Sequence, residues 1–364
     1  MIGPFKKIAS AGVAALCLTA AVQSAEAAEL RKVTIGIGTQ ALNVTYPWLM
    51  MPVALGWWKE QGLDVTVMPV SGSLQATQLL VAGTIDFAEM NASAIIQANV
   101  KSDIPVRTIM ENTVLDWSLT ALEGGPIKTV QDFKGKTVGL LSLASSGNAL
   151  LKSYLTSEGL DGENDVQIVA TGAGAPALQA LQSNRVQGLM FWGSMNTFFE
   201  NQGTKLKYFY AEDWRRMPDF SLATLQKTID SDPDLVKTIV RGAAMASELT
   251  FAAPDCVRKI HWANFPDTKP SGAPDEATAI AWDSKSLQAQ MSGMEASKKA
   301  GGGKYWGATT PAGFDKLQQF MLANKQIDKT LPSETYIIST PNFFEDINDF
   351  DAEKVKALAE ACPA

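Results

Sequence analysis

At 364 residues, with a formal net charge of −7 and a pI near 5.0, the chain is long for one domain and comfortable for two. Its 46% apolar and 19% charged residues, with a mean hydropathy near zero, describe an ordinary globular protein rather than a disordered or membrane-embedded one. Clustered Lys and Arg are missing, which excludes a nucleic-acid surface, because neutralising phosphates requires such clusters.

The amino end reads as a leader. Lys6 and Lys7 precede an apolar run over residues 8–22, and Ala25-Glu26-Ala27 gives the small-x-small pattern of a signal-peptidase site. A signal peptide over residues 1–27 and a periplasmic mature protein are expected. Cys17 follows Leu16, where a lipoprotein signal requires Gly or Ala. No later stretch reaches the roughly 20 apolar residues of a spanning helix, so no membrane span is expected in the mature chain.

From there strands and helices alternate. "KVTIGIG" (32–38) is a strand, "PWLMMPVALGWWKEQ" (47–61) a helix and "LDVTVMPV" (63–70) a strand. "SGSLQATQLLVAGTIDFAEMN" (71–91) then supplies a small-residue turn, a helix, a turn at Gly83-Thr84 and an apolar strand. "VRTIMEN" (106–112) and "SLTAL" (118–122) are read as closing a first lobe. A second run follows with "KTVGLLS" (136–142), a helix, and "DVQIVAT" (165–171). It ends in "TGAGAPALQALQSNRVQGLMFWGSMN" (171–196), which loosely repeats the earlier segment and turns at Asn184-Arg185. "LKYFY" (206–210) is the last strand expected, and beyond Trp214 the pattern reads as helical, near residues 233–250, 275–294, 311–323 and 352–361.

Two βαβαβ runs predict an α/β protein of two lobes, each a mostly parallel sheet flanked by helices. Residues 28–119 and 211–364 are expected to form lobe 1 and residues 120–210 lobe 2. The chain would cross near 118–125 and return near 206–214, so that two crossings make a hinge. Ligands of such sheets bind at the carboxyl ends of the strands, here in a cleft between lobes. The helix N-termini at Ser71-Gly72-Ser73, Ser145-Ser146-Gly147 and Gly172-Ala173-Gly174 would offer unpaired N–H groups to an anion, or act as simple caps.

Three segments carry a specific resemblance. "YPWLMMPVALGWWKEQGLDVTVMPVSGSLQATQLLVAGTIDFAEM", followed by "IKTVQDFKGKTVGL" and "DSDPDLVKTIVRGA", resembles the solute-binding proteins of bacterial ABC importers. The branch is the one handling sulfonates, nitrate, taurine and thiamine-pyrimidine precursors. The resemblance runs from Lys32 to Asn348. It implies a type II periplasmic-binding fold, capture of a small molecule between the lobes, and delivery to an importer permease; a monomer that closes about its hinge is expected. It also implies a pocket built from residues 42–48, the turn 71–73, Asn91-Ala92, Ser145-Ser146 and the segment at Trp192. The sequence departs from the branch at Gln187, where relatives often carry Asp, and in the aromatic "MFWGSMNTF".

Individual candidates carry competing readings. Trp192 is a core plug or a cleft wall whose large face and single N–H suit stacking, and the wall is favoured. Tyr46 and Trp48 flank Pro47 and either touch ligand or staple the following helix. Gly72, Ser73, Gly172, Ser145 and Ser146 stand at the helix starts, Asn91 and Ala92 end a strand, and Trp117 lies near the first crossing; all are expected at the site. Arg107, Arg185 and Arg215 are left outside it. Catalytic and cofactor signals fail: there is no Walker motif and no G-x-S-x-G, and the single histidine, His261, lacks a ligand-spaced partner. No metal, cofactor or catalytic residue is expected. Spacing leaves open whether Cys256 and Cys362 pair. The expected ligand is a small organic anion, a sulfonate or carboxylate with a stackable body. The alternatives are a neutral nitrogen heterocycle such as a pyrimidine or flavin precursor, and a sensory role beside a membrane receptor.

Overall fold

The computed structural model describes residues 1–3 and 29–363. Residues 4–28, which carry almost all of the expected signal peptide and its cleavage point, lie outside the described residues.

Ten strands follow in chain order: β1 (Arg31–Ile37), β2 (Leu63–Pro69), β3 (Phe87–Asn91), β4 (Val106–Glu111), β5 (Ser118–Leu122), β6 (Lys136–Leu140), β7 (Val166–Ala170), β8 (Gly188–Phe191), β9 (Leu206–Phe209) and β10 (Phe220–Leu225). They form two five-stranded sheets with the same logic, β2-β1-β3-β10-β4 and β7-β6-β8-β5-β9. In the first, β1 runs parallel to β2 and β3, and β10 is inserted antiparallel between β3 and β4. In the second, β6 runs parallel to β7 and β8, and β5 is inserted antiparallel between β8 and β9. Each sheet is therefore mostly parallel, as expected, and each receives one strand that arrives directly from the other.

The repetition in sequence is a repetition of backbone bonds. Asp86 N–H donates to Thr34 O at 2.9 Å, and the Asp86 carboxylate accepts from Thr34 N–H at 2.8 Å. In the second lobe Gln187 N–H donates to Thr137 O at 2.8 Å while its side-chain oxygen accepts from Thr137 N–H at 3.0 Å. Gln187, the departure from the related branch, thus performs the task of an Asp, since both side chains offer an acceptor at the needed place. The turns before these residues fall at Gly83 (φ 68°) and Asn184 (φ 61°), left-handed positions that Gly and Asn tolerate best.

Two expectations are corrected. Phe220–Leu225, placed in a helical region, is strand β10; all six of its residues are buried, so the alternation that marks a half-exposed strand is missing. Ser118–Leu122, read as closing the first lobe, is β5 of the second sheet. The outward crossing is consequently residues 112–117, earlier than expected, and the return is residues 210–219. The two run side by side as a ribbon, with Leu115 N–H on Met217 O at 2.9 Å and Asp219 N–H on Thr113 O at 3.0 Å.

The helices are α1 (Pro47–Ala54), α2 (Ser73–Ala82), α3 (Ala92–Ser102), α4 (Ser146–Ser157), α5 (Ala175–Gln182), α6 (Gly193–Asn201), α7 (Gln226–Ser231), α8 (Pro233–Ala252), α9 (Pro254–Asn264), α10 (Glu276–Ala300), α11 (Pro311–Ala323), α12 (Phe343–Ile347) and α13 (Ala352–Ala361). Helix α1 ends earlier than its apolar run, with Pro52 inside it and Gly56 at φ 71° just beyond. Helices α8 and α9 pack on α1 of lobe 1, and α13 lies on α8. Cys256 of α9 and Cys362 after α13 form a disulfide, with Cα atoms 5.5 Å apart. No helix among the described residues is long and apolar enough to cross a membrane.

Candidate functional site

The lobes meet at the carboxyl ends of their strands, and a hydrogen-bonded centre closes the seam. Asn91 ends β3, and its amide donates to Asp219 Oδ1 at 2.6 Å. Trp117 Nε1–H donates to the other oxygen, Oδ2, at 2.8 Å. Ser73 Oγ donates to Asn91 Oδ1 at 3.0 Å and accepts from Asn91 N–H at 3.1 Å. One carboxylate on the return crossing thus joins a lobe 1 strand to the outward crossing. The pseudo-equivalent position in lobe 2 is treated alike: Ala92 N–H donates to Asp219 O at 2.8 Å, and Gly193 N–H donates to Asp116 Oδ2 at 2.9 Å. Two helix starts, those of α3 and α6, therefore rest on the two crossings.

Aromatic rings fill the space beside these bonds. Trp117 and Trp192 have centroids 5.3 Å apart, and Phe220 lies 6.2 Å from Trp117 and 5.9 Å from Trp192. Such pairs contribute about 0.5–1.5 kcal/mol each beyond their buried area. A Cβ on Gly147 would come within 2.4 Å of the Trp117 ring, which explains the absence of a side chain at that turn of α4.

The rim is shut. Leu74 N–H donates across to Ala144 O at 3.3 Å, Ser142 Oγ donates to Ser71 O at 2.5 Å, and the Gln40 amide donates to Leu141 O at 3.5 Å. Gly72 takes φ 119°, and a Cβ there would lie 3.0 Å from Ala144 O. Two cavities flank this closed centre. One, of about 310 Å³, lies between the loop after β1, the start of α5, helix α6 and residues 267–271 with Ser286. The other, of about 570 Å³, lies between α2, α3 and the loop before α4.

The buried ionisable groups at the seam are acids. Burial pushes the Glu89 carboxyl up to about 8, against the pull of the Gly38 N–H that it accepts at 3.0 Å. Asp116 is pushed up to about 6 by burial, with Arg215 and Gly193 N–H opposing, and its Oδ1 has no partner among the described residues. Asp219 sits well above the ordinary carboxylate range; burial dominates, the bonds from Asn91 and Trp117 oppose, and the charges of Asp116 and Glu89 add to it. Burial and then Glu89 raise Tyr46 as well. Arg215, whose charge acts on Asp116, spends its guanidinium on Leu115 O at 2.8 Å and Ser118 Oγ at 3.3 Å and stacks on Tyr210.

The sequence profile described as NMT1/THI5 like matches residues 48–256, more than half of the chain. The protein belongs to the NMT1/THI5-like family. A comparison with curated protein sequences finds no match. Among solved structures, a protein of Bordetella bronchiseptica RB50 superposes with a TM-score of 0.64 at 20% identity, covering 92% of this chain and 99% of that one. The alkanesulfonate-binding protein SsuA of Xanthomonas axonopodis pv. citri bound to MOPS gives 0.62 at 14% identity, over 86% and 99%. The periplasmic aliphatic sulphonate binding protein SsuA of Escherichia coli gives 0.55 at 14%, again over 86% and 99%. At these identities the likeness establishes the two-lobed periplasmic-binding fold.

Within this NMT1/THI5-like chain the expected site residues divide. Ser73, Asn91, Ala92 and Trp117 converge on Asp219, and Trp192 packs on Trp117. Gly72 meets Ser145 across the rim, and Gly172 faces the Gln40 side chain, 3.3 Å from where its Cβ would be. Ser145 caps α4 by accepting Gly147 N–H at 3.2 Å, and Ser146 Oγ is buried without a partner among the described residues. Tyr46 is buried beside Glu89. Trp48 is fully buried in the core cluster, and its indole N–H meets no partner among the described residues. Glu89 and Asp219 were not among the expected site residues. A single Glu in the apolar strand "FAEMN" was the available signal for the first, since an unpaired charge there has to be accounted for.

Proposed function

We propose that the protein is an extracytoplasmic solute-binding protein that captures a small molecule between its lobes by hinge closure and delivers it to an ABC importer. A ligand bridging the lobes shifts the open–closed balance by its differential affinity for the closed form; periplasmic binding proteins are a general example of such closure. The hydrogen bonds across the rim and the ribbon of paired crossings support this reading. Binding rather than catalysis is favoured by the lone histidine: His261 lies on Thr268 at 2.7 Å and is driven down to about 4 by burial.

For the ligand we favour a nitrogen heterocycle bearing hydrogen-bond donors over the organic anion. The observation carrying this choice is the seam's own chemistry. Glu89, Asp116 and Asp219 lie there with Trp117 and Trp192, and no Lys or Arg among the described residues bonds to Glu89 or Asp219. At two of the three helix starts open to an anion an N–H is occupied as well: Leu74 N–H of α2 by Ala144 O, and Gly147 N–H of α4 by Ser145 Oγ. Carboxyl oxygens accept well from N–H donors, and an added anion beside them would make each one harder still to ionise. The second reading, an alkyl or aryl sulfonate, is favoured by the SsuA structures, one of them bound to MOPS.

A thermal-shift series separates the two. Aminopyrimidines should raise Tm with concentration while sulfonates leave it unmoved, stabilisation reaching about 2.7 kcal/mol at a hundred times Kd. Stabilisation by sulfonates alone would reverse the choice of ligand and leave solute capture standing.

A further inference from the structure

Helix α10 touches both lobes, although it belongs to neither βαβ run. Its amino half packs on α6 of lobe 2: Asn201 Nδ2 donates to Trp282 O at 3.1 Å, and Lys285 pairs with Glu200 at 3.0 Å. Midway, Gly293 presses against the outward crossing, where a Cβ would lie 3.2 Å from Thr113. Near its carboxyl end Ser297 Oγ donates to Glu111 Oε1 of β4 at 3.2 Å, and Glu111 also accepts from Thr309. The 25 residues span about 37 Å at a helical rise of 1.5 Å per residue. A helix of that length bridges the hinge as a rod.

The two anchors differ in strength. At lobe 1 the Glu111 carboxyl and the Ser297 hydroxyl are buried and Thr309 is half-buried beside them, a network that is expensive to disrupt. At lobe 2 the ion pair is open to water, with side-chain exposures of 53% for Lys285 and 31% for Glu200. Exposed pairs of this kind contribute about 0–1 kcal/mol. Parting the lobes moves α6 away from β4, so the rod must give up one anchor. Helix α10 packs along α6 with no buried side-chain bond among the described residues. Lobe 1 holds it by two such bonds, Ser297 on Glu111 and Trp262 of α9 on Asp283 at 2.7 Å, so the contact with α6 is the one that yields. Ser286 of α10 and Ser194 of α6 also line the 310 Å³ cavity, so the same release uncovers that flank of the seam.

We propose that α10 is a strap: it stays on lobe 1 and has to leave α6 before the lobes can separate, so its docking sets the resting balance between open and closed forms. This goes beyond solute capture, and its test requires no solute. Failure of the strap would therefore leave the proposed function untouched.

The test reads deuterium exchange at the Leu74 amide. That N–H sits in the first turn of α2 and bonds only across the rim, to Ala144 O, so its exchange reports lobe opening. Glu200→Cys and Lys285→Cys are introduced together and joined by a short bismaleimide; the control is the same protein capped with a monofunctional maleimide. Bridging should slow Leu74 exchange by about tenfold or more, because exchange there proceeds through the opening that the bridge forbids. Lys285→Glu should speed it, and the double reversal with Glu200→Lys should restore it. Equal exchange in bridged and capped protein would show α10 travelling with lobe 2 and overturn the strap. Unprotected exchange at Leu74 in the wild type would overturn it too, since there would be no closed rest state to hold.

Discussion

The indole N–H of Trp117 donates to Asp219 Oδ2 at 2.8 Å, joining the outward crossing to the return crossing within the buried seam. The other carboxylate oxygen takes the Asn91 amide, so a single side chain satisfies two buried donors from different segments. Asp219→Ala leaves both donors unpaired, and each orphaned buried donor costs about 1–3 kcal/mol. Urea denaturation should therefore show Asp219→Ala destabilised by about 2–5 kcal/mol, with Trp117→Phe losing less of its polar contribution because only one bond goes. A loss under 1 kcal/mol for Asp219→Ala would mean that the network is not closed in solution.

The acids of the seam and hinge give stability a definite slope with pH. Glu89 is raised to about 8, Glu111 to about 7 and Asp116 to about 6, burial being the largest cause in each case. Their ordinary values are 4.5 for Glu and 3.8 for Asp, so between those values and the raised ones the folded protein holds more protons than the unfolded chain. Stability must then fall as pH rises through that window, by up to about 1.4 kcal/mol per pH unit for each group titrating. The urea midpoint of the ligand-free protein should be higher at pH 5 than at pH 8. Glu89→Gln, which keeps an acceptor for Gly38 N–H, should lessen the slope above pH 7, where Glu89, the most raised of these three, titrates most. A midpoint that climbs from pH 5 to pH 8 would contradict the burial of these acids.

What the sequence disclosed follows from what makes a signal periodic. The parallel strands β1, β2, β6 and β7 stand out because turns and amphipathic helices bracket them, and the doubled segment ending at Asn91 and at Asn196 showed that the lobes are alike. The two exchanged strands were harder to place. β10 is buried along its whole length, and β5 pairs with partners 69 to 90 positions later in the chain, such as Leu119 with Phe209. Neither fact leaves a local mark. The seam between the lobes was legible where small residues begin helices, as at Gly72, Ser73 and Ser145. It was illegible where one residue acts through distant partners, as Asp219 does with Trp117, 102 positions away. Helix α10 read simply as a helix, because a rod that bridges two bodies has the same pattern as one that covers a single body.

The Cys256–Cys362 disulfide closes a loop of 106 positions and fastens the end of α13 to α9. Removing a native disulfide typically costs about 2–5 kcal/mol, with long loops at the upper end of the chain-entropy account. The double variant Cys256→Ser/Cys362→Ser should lose stability in that range, measured by urea denaturation against the oxidised wild type. Its exchange protection should fall first in α13, while Leu74 at the rim stays protected. Unchanged stability under reductant would indicate that the two thiols are not bridged in the native protein.

Gly72 is where the closed rim can be opened by one methyl group. Its φ of 119° lies where residues with a side chain are strained, and a Cβ would stand 3.0 Å from both Ala144 O and the Ser145 Cα of the opposite lobe. Backbone atoms do not swing aside as a side chain does, so Gly72→Ala has to push lobe 2 away. The radius of gyration from solution scattering should exceed that of the wild type, and a stabilising solute should no longer shrink it. Gly83→Ala is the matched control: φ is 68° there, but nothing lies within 4 Å of the added carbon, so it carries the backbone strain of about 1–2 kcal/mol without touching the other lobe. If both variants destabilise alike and neither changes the scattering, the contact between Gly72 and the Ala144–Ser145 backbone is not what holds the lobes at their closed spacing. If only Gly72→Ala expands the protein, that contact sets how closely the two lobes can approach.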